Sequence, residues 1–383
     1  MSGEFSRRTF VRNAAIGASA VVVTGSVARG FPANEKVQLG WIGVGGRGSG
    51  LLDDMVKHCP DARIVAVCDL KPERIEVGKK TAERDKPNGY TDFRQMMEKE
   101  KLDGILIFTE PFNHAPVVVP VLDAGYHCFA EKPMDTAMER VDAIVKAARK
   151  AKGLYQIGTQ RRYHPSYVAG MKMLHEGRLG KVTFMQGHWH WSWRGTGTVA
   201  RDGGFFTEQA SHHTDIMAWA MGEQHPVKCV SIAYMQEPKP EGPNVWNETH
   251  SATAFQFPNG EIFSYTHLKY LAGRFTDEKT WIFCEKGCLD PGHGKMYLID
   301  GNKEEQYGLD SKGDWGLGTT EELQDFVDNI KTGGKRKPNA NVETGRVATM
   351  MCLMARKAHV NPEKNAFEPR VVEWKDLGSS TDA

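Results

Sequence analysis

Six residues, Gly43-Val44-Gly45-Gly46-Arg47-Gly48, constrain this chain more than any other segment because of what flanks them. From Val37 onward, short apolar runs alternate with amphipathic stretches, which is the βαβ pattern of a parallel sheet. Val37 to Gly43, Ile64 to Asp69, Gly104 to Phe108, His127 to Glu131 and Tyr155 to Gly158 read as strands. Arg47 to His58, Pro72 to Arg84, Pro116 to Ala124 and Met138 to Lys152 have helical spacing between them. The glycine motif therefore ends the first strand and opens the first helix. In that position the first Gly permits a tight turn, the second lets backbone approach a pyrophosphate, and the third lets helix and strand pack closely. Asp69 ends the second strand, about 20 residues on, where a carboxylate accepts ribose hydroxyls and repels a 2′-phosphate. That favours NAD, although Lys71 and Arg74 stand close enough to receive the phosphate of NADP. The bland alternatives are a tight turn with no ligand, and an Asp69 that merely caps the next helix.

Beyond Gly158 the pattern changes. A helix over Pro165 to Glu176 precedes alternating or aromatic strands at Lys181 to Trp193, Val227 to Tyr234, Ser251 to Phe257 and Glu261 to His267. Pro258-Asn259-Gly260 between the last two has the residues a hairpin turn requires. Helices over Glu321 to Lys331 and Thr344 to Ala358 close the chain, and Met235 to Asn247 reads as a surface loop. The expected fold class is α/β: an N-terminal Rossmann parallel sheet over residues 34–158, and a C-terminal α/β domain with a large open, mainly antiparallel sheet over 159–383.

Glu131-Lys132-Pro133 follows an apolar strand at the carboxyl edge of the first sheet, where open α/β folds bind ligands. Lys132 there can hydrogen-bond a hydroxyl under oxidation and stabilise developing negative charge, whereas a lone strand-end lysine is more often a solvated surface charge. Gly43-x-Gly45-x-x-Gly48, Glu131-Lys132-Pro133, Gly203-Gly204 and Glu208-x-Ala210-x-His212-x-x-Asp215, in that order, resemble the glucose-fructose oxidoreductase/inositol dehydrogenase (Gfo/Idh/MocA) family across nearly the whole chain after its first residues. The resemblance implies an active site between two domains, with Lys132 and His212 acting on a sugar or polyol hydroxyl. It further implies cofactor contacts from Gly43, Gly45, Gly46, Arg47, Gly48, Asp69, Thr109, His114, Glu131, Lys132 and Gln160. Two positions depart from the family pattern: Glu208 replaces the usual Asp, and Ala210 a Gly, which leaves the role of Glu208 open. On a helix starting near Thr207, Glu208 and His212 share a face, so the carboxylate is expected to orient the imidazole or raise its basicity, with His213 pointing elsewhere. A buried structural histidine is the alternative.

The strand His188-Trp189-His190-Trp191-Ser192-Trp193 alternates, putting histidines on one face and tryptophans on the other. Sugars pack C–H faces on aromatic rings and need donors around them, so Arg161, Arg162, Tyr163, His164, His188 and Trp191 are candidate substrate residues. The tryptophan face fits a subunit interface equally well, since an open sheet must be covered by something, and a homo-oligomer built through it is expected. No carboxylate or thiol completes a metal set around His-x-His, so no metal is expected.

A net charge of +1 with 40% hydrophobic residues excludes a large nucleic-acid footprint and favours a small-molecule partner. Ser6-Arg7-Arg8-Thr9-Phe10-Val11-Arg12, followed by the small-residue apolar run Ala14 to Val23, reads as a twin-arginine export signal over residues 1–33, too short to span a membrane. That places the mature chain in the periplasm or otherwise outside the cytoplasm, without a membrane span. Seven scattered cysteines read as buried thiols, compatible with folding in a reducing compartment before export. The leading expectation is an exported NAD(P)-dependent oxidoreductase acting on a secondary hydroxyl of a sugar, polyol or glycoside with its cofactor tightly held. A redox-neutral, NAD-dependent glycosidase and a non-catalytic sugar-binding protein are the alternatives.

Overall fold

The computed structural model describes residues 35–191, 204–236, 247–269, 273–310, 316–361, 366–367 and 369–381. The leader, Ser192 and Trp193 of the aromatic strand, Gly203 and most of the loop read between Met235 and Asn247 lie outside the described residues. Strands β1 (Val37–Ile42), β2 (Ala62–Cys68), β3 (Asn88–Tyr90), β4 (Gly104–Ile107), β5 (His127–Glu131) and β6 (Tyr155–Gly158) form one sheet. Its order is β3-β2-β1-β4-β5-β6 and every pairing is parallel. The order reverses between β1 and β4, which opens a crevice at the carboxyl ends of those strands. Helices α1 (Gly46–His58), α2 (Pro72–Thr81), α3 (Phe93–Lys99), α4 (His114–Asp123) and α5 (Met138–Lys150) provide the crossovers.

The glycine turn shows which of its glycines the fold itself demands. Gly43 has φ +92°, and a Cβ there would stand 2.6 Å from the Phe108 carbonyl oxygen. A Cβ on Gly48 would stand 2.2 Å from the Gly43 carbonyl oxygen. By contrast, a Cβ on Gly46 would meet nothing within 4 Å, and one on Gly45 only the Arg74 guanidinium at 3.7 Å. Two of the four glycines are thus not required by packing; they keep open the space over the N-terminus of α1.

The second lobe contains α6 (Pro165–His175), β7 (Val182–Trp191), α7 (Gly204–Ala220), β8 (Lys228–Gln236), β9 (Asn247–Gln256), β10 (Ile262–Lys269), β11 (Asp277–Cys284), β12 (Gly287–Asp290), β13 (Lys295–Leu298) and β14 (Lys303–Gln306). After α8 (Thr319–Lys331) and α9 (Val342–His359) come the short pair β15 (Val360–Asn361) and β16 (Ala366–Phe367), and finally β17 (Val371–Glu373). The large sheet runs β14-β13-β12-β11-β7-β10-β9-β8-β17, antiparallel except for the β7–β10 pair. The expected α/β architecture, a parallel sheet followed by a large, mainly antiparallel one, is what the chain adopts. One face of the sheet is covered by helices, among them α9, which is buried on nearly every side and lacks a polar face for that reason. On β8 the side chains of Cys229, Ser231 and Ala233 turn inward while Val230, Ile232 and Tyr234 turn outward and are exposed.

Late in the chain, α8 returns to the first lobe. Leu323, Phe326, Val327 and Ile330 share a core with Leu39, Trp41, Leu52 and Phe129, and Thr320 Oγ1 donates to Asp54 of α1 at 2.9 Å. The sequence reading lacks β3, α3, β11 to β14 and β17, which are short or charge-rich. A measurement separates the two classes of glycine in the turn. Gly48→Ala is expected to cost about 1–3 kcal/mol by overpacking and lower the thermal midpoint. Gly45→Ala, at an ordinary extended φ of −78°, should leave the midpoint nearly unchanged while weakening dinucleotide retention.

Candidate active site

The crevice at the end of β5 holds a chain of charged groups. Glu131 Oε1 accepts from Arg47 Nε at 2.8 Å, and Oε2 accepts from the Lys132 backbone N–H at 3.1 Å. Arg47 also stands 3.7 Å from Glu322 of α8, whose fully buried carboxyl is pushed up by burial and by Glu131. Lys132 Nζ donates across the lobe boundary to the backbone carbonyl of Glu208 at 2.9 Å. Burial pulls the Lys132 ammonium down from its ordinary value, and the Glu208 and Glu131 carboxylates oppose that.

His212 of α7 is buried with its imidazole stacked on Trp189, ring centroids 5.5 Å apart and planes 22° from parallel. Burial, then Lys132, Arg161, His213 and Arg47, hold it well below the usual histidine range. At neutral pH the ring is therefore uncharged, with a lone pair to offer. Two cavities meet at this residue. One, of about 370 Å³, is lined by Arg47, Thr109, Glu131, Lys132 and Glu208. The other, of about 390 Å³, is lined by Arg161, His164, Tyr167, Trp189 and Trp191 among others. Gln160 and His212 belong to both walls. Buried polar atoms without a hydrogen-bonding partner cluster here: Thr109 Oγ1, Gln160 Oε1, Arg161 Nη1 and Glu208 Oε2.

Most of the expected residues converge. Arg47, Thr109, Glu131, Lys132, Gln160, Glu208 and His212 line the first cavity, and His164 and Trp191 line the second. Asp69 lies at the glycine turn, where Oδ2 accepts from Val44 N at 2.8 Å and Oδ1 from Lys71 N at 3.0 Å. It braces the turn and does not cap α2, whose N-cap is Lys71. Arg74 stands 3.9 Å away, its guanidinium beside Gly45.

Five expectations need correction. Arg162 is 2% exposed and points into the core, with Nε 2.8 Å from Asp215 and Nη1 2.6 Å from Glu223; its predecessor Arg161 faces the cavity instead. Tyr163 is buried, its hydroxyl accepting from Ala340 N at 3.3 Å. His188 sits on the opposite face of β7, paired with Asp277 at 2.8 Å and stacked on His190. His114 is wholly buried, its ring nitrogens 2.8 and 3.1 Å from the carbonyls of Pro133 and Thr109, so it ties two crevice loops together without lining the crevice. Glu208 is the leading charge that opposes the burial of Lys132 and is not among the leading influences on His212.

Two contributors have no sequence signal of their own. Glu278 of β11 holds Arg161 at 2.9 Å and stands 2.8 Å from His213 Nε2, so His213 does turn away from the site. Glu322 enters only because α8 doubles back. Trp189 was legible in the alternation of β7. Among the described residues no group of three His, Cys, Asp or Glu side chains is placed to hold a metal ion, and no helix is long and apolar enough to cross a membrane.

Comparison with known proteins agrees with this architecture. Residues 37–159 match the family model described as "Oxidoreductase family, NAD-binding Rossmann fold", and 167–290 match the "GFO/IDH/MocA C-terminal domain". The chain belongs to the GFO/IDH/MocA oxidoreductase family. Among its relatives, the inositol 2-dehydrogenase of Rubrobacter xylanophilus is 27% identical over 56% of this chain and 60% of that protein. The myo-inositol 2-dehydrogenase of Thermotoga maritima is 22% identical over 84% and 96%. In structure, the scyllo-inositol dehydrogenase of Lactobacillus casei with bound NAD(H) and scyllo-inositol superposes with a TM-score of 0.70 at 19% identity, covering 89% of this chain and 100% of that one. The myo-inositol 2-dehydrogenase of Lactobacillus plantarum gives 0.72 at 21% identity, covering 88% and 99%. These likenesses establish the shared fold.

The electrostatics yield a test that needs no substrate. Glu208→Gln removes the carboxylate that opposes the burial of Lys132, so Lys132 should lose its proton at a lower pH than in the wild type. Pulse labelling of its amine across a pH series, read by mass spectrometry, should show the reactivity midpoint moved downward. An unmoved midpoint would contradict the assignment of Glu208 to Lys132.

Proposed function

We propose that this protein oxidises a secondary hydroxyl of a sugar or polyol, with NAD held in the cavity beside Lys132 and the substrate in the cavity beside Trp189. The observation that carries this reading is the meeting of the two cavities at His212 and Gln160, with Lys132 reaching the same junction. The residues fit the dinucleotide: Gly45 and Gly46 leave open space at a helix N-terminus, and Thr109 and Gln160 carry buried, unpartnered oxygens. Bound NAD supplies the hydride acceptor. The inositol dehydrogenases among the relatives support a polyol ring as the substrate type.

The chain's own residues divide the remaining work. His212, neutral under burial and its cationic neighbours, accepts the hydroxyl proton. Lys132 stabilises the negative charge that develops on that oxygen as its C–H bond weakens. Arg161, fixed by Glu278 and packed over the rings of Trp189 and Tyr167, offers its remaining N–H groups to the substrate's other hydroxyls. Trp189 gives the C–H face of the ring a flat surface beside His212. Convergence of Lys132 and His212 favours an enzyme over a non-catalytic binder.

The segment led by Arg7 and Arg8 supports export by the twin-arginine route. Free dinucleotide is scarce outside the cytoplasm, so an exported enzyme of this kind leaves with its cofactor already locked in place. Purified protein denatured in acid is expected to release stoichiometric NAD into the supernatant. In that cofactor-loaded protein, Lys132→Ala and His212→Asn should each slow turnover of a polyol panel by about 10²–10⁴-fold while the fold persists. Wild-type rates in either variant would refute the mechanism.

The same reading includes a homo-oligomer through the open sheet. Val230, Ile232, Tyr234 (70% exposed) and Val371 form an outward apolar row on neighbouring strands β8 and β17, which a second copy would cover. Ile232→Lys should lower the molar mass measured by light scattering; an unchanged mass would remove this face from consideration.

A further inference from the structure

The cavity beside Trp189 continues beyond the reacting centre. Gln160 and His212 border the cofactor cavity, whereas Trp191, Asp290, Gly292 and His293 line only the substrate cavity. Its volume of about 390 Å³ falls among pockets that bury drug-sized ligands, roughly 300–1,000 Å³, and exceeds what one six-membered polyol ring needs. Two aromatic surfaces line it. The indoles of Trp189 and Trp191 lie 6.3 Å apart with planes tilted by 44°, so one flat ring cannot rest on both. Trp189 is already stacked on His212 and belongs to the reacting unit. Trp191, 38% exposed, is a second platform.

The polar groups at this end are built. Asp290 is 2% exposed, and its carboxylate holds His293 Nδ1 at 3.0 Å from each oxygen and Lys279 Nζ at 3.5 Å. Fixing Nδ1 leaves Nε2 as the other hydrogen-bonding atom of the imidazole. Both cations here face an acid: Lys279 pairs with Asp290 and Arg161 with Glu278. Among the described residues of this wall no unpaired cation remains to draw a carboxylate or phosphate, while oriented donors and acceptors remain for hydroxyls.

We propose that this end of the cavity is a subsite for a second, uncharged sugar unit, resting on Trp191 beside the Asp290–His293 pair, so that the substrate is a glycoside or oligosaccharide and not a lone cyclitol or monosaccharide. The inference rests on the proposed oxidation at His212 and deepens it by naming the substrate class. Unreacted sugar held there would orient the reacting ring over His212 and contribute binding energy remote from the chemistry.

The test compares cofactor-loaded protein on two sets of probes: myo-inositol, glucose and galactose against cellobiose, maltose and lactose. Nicotinamide reduction is followed by absorbance, and affinity by calorimetry. The disaccharide set is expected to give the higher kcat/KM, by about tenfold or more for its best member. Trp191→Ala and His293→Ala should each reduce the ratio of disaccharide to monosaccharide kcat/KM by about tenfold, and Trp191→Phe should restore most of it. Trp191 ends its strand half exposed, and the thermal midpoint of each variant reports whether folding is intact. Monosaccharides and inositol turned over as well as the disaccharides, or a ratio unmoved by both variants, would overturn the subsite and leave the proposed oxidation standing. Turnover of neither set, with no calorimetric binding, would overturn both.

Discussion

A single hydrogen bond between lobes, from the Lys132 ammonium to the backbone carbonyl of Glu208 at 2.9 Å, organises the site. Lys132 comes from the end of a parallel strand and Glu208 from the first turns of a helix belonging to the other sheet. Because the acceptor is backbone, it fixes where that helix begins relative to the strand end. The same helix carries His212 one turn further on, so the ammonium and the imidazole are set on either side of one junction by the same contact. Glu208 thus has two functions: its carbonyl holds the lysine, and its carboxylate opposes the loss of that lysine's proton to burial.

The site concentrates positive charge around an uncharged base. Lys132, Arg161 and Arg47 all lower the proton affinity of His212, and the two arginines are restrained by acids: Arg161 by Glu278, Arg47 by Glu131 and Glu322. The result is a potential that tolerates an alkoxide and resists a resting imidazolium. Catalytic competence and charge balance are therefore met by different residues, and Glu131 and Glu278 line the same cavities as the cations they balance.

The sequence made the first lobe legible because its strands are buried on both faces and read as apolar runs between helices of regular period. It lost β3, three residues of Asn-Gly-Tyr, the four-residue strands β12 to β14, of which Lys303-Glu304-Glu305-Gln306 carries no apolar stripe, and β11, whose apolar end Trp281 to Cys284 follows a charged start. Within the site, Lys132 was legible at a strand end, and His212, Gln160 and Thr109 through the family resemblance. Arg161 and Arg162 were not separable: they are neighbours on a 3₁₀ turn, and only the position of Asp215 and Glu223 decides which one enters the core. Glu278 and Glu322 were out of reach because each acts through a fold contact between segments distant in sequence, with no spacing to announce it.

The return of α8 to the first lobe bears on how such a chain matures. A ribosome delivers β1 through β6 long before residue 323, and until then Leu39, Trp41 and Phe129 lack the Leu323, Phe326 and Ile330 that complete their core. Arg47 likewise waits for Glu322. The nucleotide-binding half therefore cannot finish as an autonomous unit during synthesis, and its dinucleotide pocket closes only after almost the entire polypeptide has emerged. Completion of the pocket is thus a late checkpoint on translation products, one that truncated chains fail.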